Sequence, residues 1–254
     1  MTKEQKIIRF NLITSITLLS IFVIMLVGAT IAYFSDTKQN TYTFTSGNVS
    51  IALSEAAVIQ DASGNFVEDT SSMPIFGGRE TTIHDYGKLY PAQYIYKNPT
   101  IINTGENAAW IAAKVTLTDG EGDLRNVMGY ENSDLVDIRV LLSGGLLDEG
   151  VYFGTWNGIE DVCYNDHFAM IQTHHGDEGI YEFFFIMLDP VEVGAQNSVL
   201  LFDQLTVPYD WDHAEMKELG DLNIKVQAFG VQTQNLDSCF KAMTEAFPDH
   251  FNFN

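Results

Sequence analysis

The sequence predicts an all-β fold, an antiparallel jelly roll or β-sandwich carrying one or two short helices near its C-terminus and preceded by a signal helix. Three observations carry this. From residue 41 onward the dominant rhythm is period two rather than 3.6, as in "TYTFTSGNVSIAL". Gly, Asn and Asp turn signals recur at short intervals. No helix-length apolar stripe separates the strand-like runs as βαβ units would need, so an antiparallel sandwich or jelly roll is the economical architecture.

The first element is a targeting segment. Lys3, Lys6 and Arg9 form a basic head, and an uncharged apolar stretch covers residues 12–32. Its length would also span a bilayer, which leaves an uncleaved anchor as the competing reading. Composition favours cleavage, because bulky residues stop at Val27 and Gly28, Ala29, Thr30, Ile31 and Ala32 follow. Thr30 and Ala32 occupy the −3 and −1 positions that a signal peptidase reads, so the cut is expected between Ala32 and Tyr33. Residues 1–32 are thus assigned to a signal peptide, 33–40 to an N-terminal extension and 41–254 to the β domain.

The strands follow in order. Residues 41–53 alternate Tyr42 and Phe44 with Thr, then Val49, Ile51 and Leu53 after a Gly47-Asn48 break. "AAVIQDASGNFVED" reads as a hairpin with Ser63-Gly64-Asn65 at its tip. Residues 73–88, rich in Gly and polar side chains, read as a loop. Strands are expected at 93–102 and 109–117 around the Asn103-Thr104-Gly105 turn. "LVDIRVLLSGG", "GVYFGTWNG", "FAMIQTHH", "GIYEFFFIML", "SVLLFDQLTVP" and "LNIKVQAFGVQT" supply the remaining β-rich runs. Nine to eleven strands result. Two helices are predicted, "DHAEMKELG" between Asp212 and Gly220, and "NLDSCFKAMTEAF", capped by Asn235 or Asp237 and ended by Pro248.

Charge narrows the function classes. Beyond residue 32 the chain holds 10 Lys and Arg against 33 Asp and Glu, a formal −23. Such a surface repels nucleic acid and anionic lipid, both of which need Lys or Arg to replace counterions. Nucleic acid is excluded as a partner, and the membrane is met only through the uncleaved leader. With 46% hydrophobic residues the chain has ample material for a core of one β domain, or at most two. Cys163 and Cys239 are too few for a disulfide scaffold. They can pair, closing a loop for about 4 kcal/mol in the chain-entropy model, or stand as two small buried side chains; the sequence does not choose.

Three blocks carry a family resemblance. "GATIAYFSDTKQNTYTFTSGNVSIAL", "LYPAQYIYKNPTIINTGENAAWIAAKVTL" and "LFDQLTVPYDWDHAEMKELGDLNIKVQAFGVQTQNL" resemble the signal junction, second block and C-terminal block of the TasA/camelysin (CalY) family. Those are exported proteins of Gram-positive bacteria processed by the signal peptidase SipW. The match is weakest over residues 120–180. The resemblance implies a secreted jelly-roll protein of the extracellular matrix, cell surface or spore coat, with a SipW-type peptidase as processing partner. It also implies fibre assembly with itself or a related matrix subunit, in which the N-terminal segment of one subunit completes its neighbour's sheet. Tyr33, Phe34, Tyr42 and Phe44 are the anchors such a donor would use. The stretch 41–53 reads more simply as the domain's own first strand, and 33–40 either as donor or as a loose terminus.

Camelysin's description as a metallopeptidase also implies an enzyme, and the residues give this little support. His84, His167, His174, His175, His213 and His250 nowhere form H-E-x-x-H. The densest ligand cluster is Asp166, His167, His174, His175, Asp177 and Glu178, but neighbouring His174 and His175 on a strand point to opposite faces. Asp119, Glu121 and Asp123, and Asp61, Asn65 and Asp69, are oxygen-rich turns that fall outside the EF-hand pattern. No catalytic residue, metal or cofactor is assigned. A non-catalytic matrix protein is expected, with a camelysin-type metallopeptidase or a non-polymerising surface protein as alternatives.

Overall fold

The computed structural model describes residues 35–38, 49–76, 89–118, 124, 137–148, 150–175, 179–212, 214, 216, 222–234 and 236–253. Across these, sixteen strands form three sheets, and one α-helix lies near the C-terminus. In chain order the strands are β1 (Ser35–Lys38), β2 (Ile51–Glu55), β3 (Val58–Gln60), β4 (Phe66–Glu68), β5 (Ile75–Phe76), β6 (Tyr94–Tyr96), β7 (Thr100–Asn103) and β8 (Ala109–Thr118). They continue with β9 (Leu142–Ser143), β10 (Tyr152–Trp156), β11 (Ile159–Tyr164), β12 (Phe168–His175), β13 (Ile180–Met187), β14 (Val199–Leu200), β15 (Gln204–Thr206) and β16 (Asn223–Gln232). Helix α1 is Cys239–Ala246.

A seven-stranded major sheet runs β1-β16-β8-β13-β12-β11-β10 with every neighbouring pair antiparallel. Its central strands, β16, β8, β13 and β12, carry apolar side chains on both faces, the pattern of a sheet buried between two layers. On β8, Ile111, Ala113, Val115 and Leu117 face a large core, whereas Trp110 and Ala112 face a smaller one. On β13 the same split sends Phe183 and Phe185 one way and Phe184 and Ile186 the other. Two smaller sheets, β14-β7-β2-β5 and β3-β4-β6-β15-β9, cover the large-core face through Ile51, Ile101, Ile95, Leu142 and Leu205. The opposite face is covered by α1 and the C-terminal tail, where Phe251 meets Phe184 and Phe229 edge-on at 5.4 and 4.9 Å. The architecture is an all-β, sandwich-like fold with a helical cover.

Several expectations need correction. Residues 93–102 are two strands, because Pro99 lacks the N–H a continuous ladder needs and β6 and β7 go to different sheets. "SVLLFDQLTVP" likewise divides into β14 and β15. "LVDIRVLLSGG" keeps only the short strand β9, paired with β15, between turns: Asp137 accepts a bond from the Arg139 N–H and opens the 3₁₀ turn Ile138–Val140, and Gly144 and Gly145, both at positive φ, lead into a second turn, Gly145–Asp148. β11 was not predicted; Glu160 and Asp161 interrupt its apolar pattern. The segment 73–88, expected as a loop, contributes β5, paired with β2. The α1 cap is Ser238, whose hydroxyl accepts from the Lys241 N–H, and not Asn235 or Asp237. Of the other predicted helix, Ala214 and Met216 are helical, with the Met216 N–H bonded to the Asp212 carbonyl. The predicted hairpin tip stands: Gly64 takes φ 89° between β3 and β4, and Asp61 and Asn65 close the turn.

A candidate assembly edge

The N-terminal edge of the major sheet brings the expected donor segment against the body of the domain. β16 pairs along its length with β8. Its other side receives β1, with Ser35 opposite Val231, Asp36 opposite Gly230, Thr37 opposite Phe229 and Lys38 opposite Ala228. The described part of the 33–40 extension is thus an antiparallel strand on its own chain's sheet. Tyr33, Phe34, Tyr42 and Phe44, and the expected cleavage pair Ala32 and Tyr33, lie outside the described residues, as do 41–48 of the predicted first strand. The strand seen from that stretch is β2, which begins at Ile51.

The local sequence explains why this edge takes a strand. β16 alternates, with Val226 and Ala228 in the large core and Phe229 and Val231 in the smaller one, so both faces are held and the register is fixed. At Gly230 the chain needs a missing side chain. A Cβ there would stand 2.9 Å from Ile51 Cγ2 and 3.3 Å from Val49 Cγ1. Gly230 therefore lets Val49 and Ile51, around the start of β2 in the facing sheet, pack closely over β16. The chemistry available here is backbone hydrogen bonding in a defined antiparallel register, with no demand on side-chain reactivity.

The remaining predicted site residues do not converge. Cys163 and Cys239 are both free and buried, and they lie in the two different cores on opposite sides of the major sheet. A disulfide between them would have to pass through the sheet, so the bridge is excluded in this fold. Burial raises the pKa of both thiols, far above the usual range for Cys239, whose Sγ donates to the Ile111 carbonyl at 3.1 Å. Asp61 Oδ1 accepts from the Ser63 and Asn65 N–H groups at 2.8 and 2.9 Å. Asn65 Oδ1 accepts from the Tyr94 N–H, and Asp69 from the Ser71 N–H and the Ser71 and Ser72 hydroxyls. These oxygens hold turns together. Hydrogen bonds from Ser71 and Ser72 also keep the Asp69 carboxyl below its ordinary pKa.

Of the histidines, His167 is exposed beside Asn165, and His174 and His175 end β12 opposite Tyr181 and Ile180. His250 lies tilted against Phe229, ring centroids 5.1 Å apart. His84, His213, Asp119, Glu121, Asp123, Asp177 and Glu178 lie outside the described residues. Among the described residues no three His, Cys, Asp or Glu side chains gather as metal ligands.

Sequence reasoning missed one buried ionic contact. Lys97 Nζ donates to Glu55 Oε1 at 2.5 Å, with the two side chains only 4% and 8% exposed. It ties the end of β2 to the gap between β6 and β7. The partners stand 42 positions apart, so no local pattern announces them.

Comparison with known proteins finds no matching family model, no matching curated protein and no matching solved structure.

Proposed function

We propose that the chain is an exported, non-catalytic structural protein of the cell surface or biofilm matrix that assembles by donating its N-terminal strand to a neighbouring copy. The observation that carries this reading is the antiparallel register of Ser35–Lys38 on Ala228–Val231. Cleavage after Ala32 would leave that strand two residues from the new N-terminus. A terminal strand of four residues is weakly held: ordering each residue costs about 1–2 kcal/mol of backbone entropy, and each ladder hydrogen bond returns about 1 kcal/mol net. Such a strand exchanges readily between copies, because the same bonds form in trans as in cis. The apolar leader and acidic remainder of the sequence fit export to a surface and association with protein rather than nucleic acid.

A second reading, a surface protein that never polymerises, is favoured by one specific fact. The edge of β16 is occupied by the chain's own β1, so a closed monomer satisfies that register without a partner. The two readings part on deletion of residues 33–40. Strand donation requires a folded, soluble chain that no longer forms filaments by negative-stain microscopy, while the parent chain at the same concentration does. Absence of filaments from both supports the monomeric reading. A chelator-sensitive protease activity in the parent chain would instead bring the metallopeptidase alternative forward.

A further inference from the structure

The opposite edge of the major sheet offers a second surface, independent of the N-terminal strand. β10 pairs with β11 on one side and has no strand on the other among the described residues. Its sequence, Tyr-Phe-Gly-Thr-Trp, carries none of the Lys or Pro residues that usually protect a sheet edge. The irregularity in the pair falls on the inner strand: between Gly154↔Val162 and Trp156↔Ile159, two residues of β11, Glu160 and Asp161, face the single Thr155. Asp161 takes φ 57° there. The outer side of β10 therefore stays regular.

Large apolar side chains gather at this edge. Tyr152 is 67% exposed and Phe153 58%. They stand on opposite faces of the strand, Tyr152 beside Tyr164 with rings 6.3 Å apart and Phe153 in register with Cys163. The Arg139 guanidinium carbon lies 4.4 Å from the Phe153 ring centroid. Asp137 fixes that guanidinium through bonds of 2.9 and 2.8 Å, and Val140 beside it is exposed. A strand added along β10 would be flanked by an aromatic ring on each face, as strand addition requires.

Charge selects the occupant. Residues 137–167 hold Asp137, Asp148, Glu149, Glu160, Asp161 and Asp166 against Arg139 as the sole Lys or Arg. Asp148, Glu160 and Asp161 are exposed, and Arg139 is already matched by Asp137. A second copy would bring its own acidic rim against this one. We propose that the β10 edge binds an extended segment of a different protein, with Lys or Arg alternating with aliphatic residues, by adding it as an eighth strand. The basic side chains answer the acidic rim and steer the encounter, and the aliphatic ones lie against Tyr152 and Phe153.

The test uses the purified chain and three blocked ten-residue peptides: alternating Lys-Val, alternating Glu-Val, and Lys alone. Binding is read by intrinsic fluorescence titration, and its position by amide hydrogen exchange. The Lys-Val peptide is expected to bind at least about tenfold more tightly than either control and to slow exchange across residues 152–156. Tyr152→Ser with Phe153→Ser should weaken it about tenfold or more, while Tyr209→Ser, a more exposed tyrosine elsewhere, leaves it unchanged; the native near-ultraviolet spectrum reports that the variants remain folded. Equal binding of the Lys-only peptide, protection outside 152–156, or indifference to the double substitution would overturn the proposal. So would protection of 152–156 that rises with protein concentration and no peptide, which would make the occupant a second copy.

Discussion

At the scale of single residues, the strongest constraints are buried groups whose partners lie far away in sequence. Lys97 and Glu55 illustrate this, since each ion is tolerable in the interior only because the other is present. Lys97→Met should destabilise the fold by about 3–5 kcal/mol in chemical denaturation, because Glu55 is left without its counter-charge. The double variant Glu55→Leu, Lys97→Met should recover most of that loss, and a double variant as unstable as the single one would show that the pair does more than neutralise itself. The two cysteines give a different kind of test. With both thiols buried and their pKa values raised, alkylation at pH 8 should leave Cys163 and Cys239 unmodified in the native chain and modify both in denaturant, with no disulfide by intact mass. His250 links stability to pH. Burial lowers its pKa, Lys114 and Lys225 push the same way, and Asp249 and Glu182 oppose them. The unfolded imidazole therefore takes up a proton first, so this contribution is whole above about pH 6.5 and is lost as pH falls through the folded value. The melting temperature should drop more between pH 7 and pH 5 in the parent chain than in His250→Gln.

At the scale of elements, what could be read from the sequence was set by how local each signal is. β8, β12, β13 and β16 are long alternating or apolar runs and were expected close to where they lie. β11 was hidden because Glu160 and Asp161 sit at an irregularity that only pairing with β10 creates. The division of 93–102 and of "SVLLFDQLTVP" reflects strands that change sheets, a decision made by packing rather than by propensity. The cap of α1 moved because Asn235, Asp237 and Ser238 are all competent, and the docking of Cys239, Ala242 and Met243 against the smaller core fixes where the first turn begins. Ser238→Ala should therefore cost about 1 kcal/mol. Gly230 is the element-level test of the assembly edge. Gly230→Val forces branched carbon against Ile51 and Val49, and a loss of about 1–3 kcal/mol is expected from overpacking, with slowed or lost docking of β1. Unchanged stability would mean that β2 does not pack over β16 as closely as described.

At the scale of the whole molecule, a sheet covered on both faces leaves only its two edges for association by strand pairing, and the two edges differ. One carries β1 and the other, β10, carries exposed aromatic rings. The segment proposed as a donor drew notice in the sequence as an aromatic and polar stretch, 33–40, ahead of the predicted first strand. Its seat on β16 was not, because Ala228–Val231 lies nearly two hundred residues away and pairs through backbone atoms that leave no side-chain signature. The β10 edge was equally silent, since exposure of Tyr152 and Phe153 depends on which strand ends the sheet. The most direct test of assembly asks whether β1 pairs in cis or in trans. Chains carrying only Ser35→Cys and chains carrying only Val231→Cys, mixed and mildly oxidised under filament-forming conditions, are expected to give a disulfide-linked dimer through the Ser35↔Val231 register. A linkage that forms only within a chain bearing both substitutions, with no dimer from the mixture at any concentration, would contradict strand donation and leave β1 as the closing strand of a monomer.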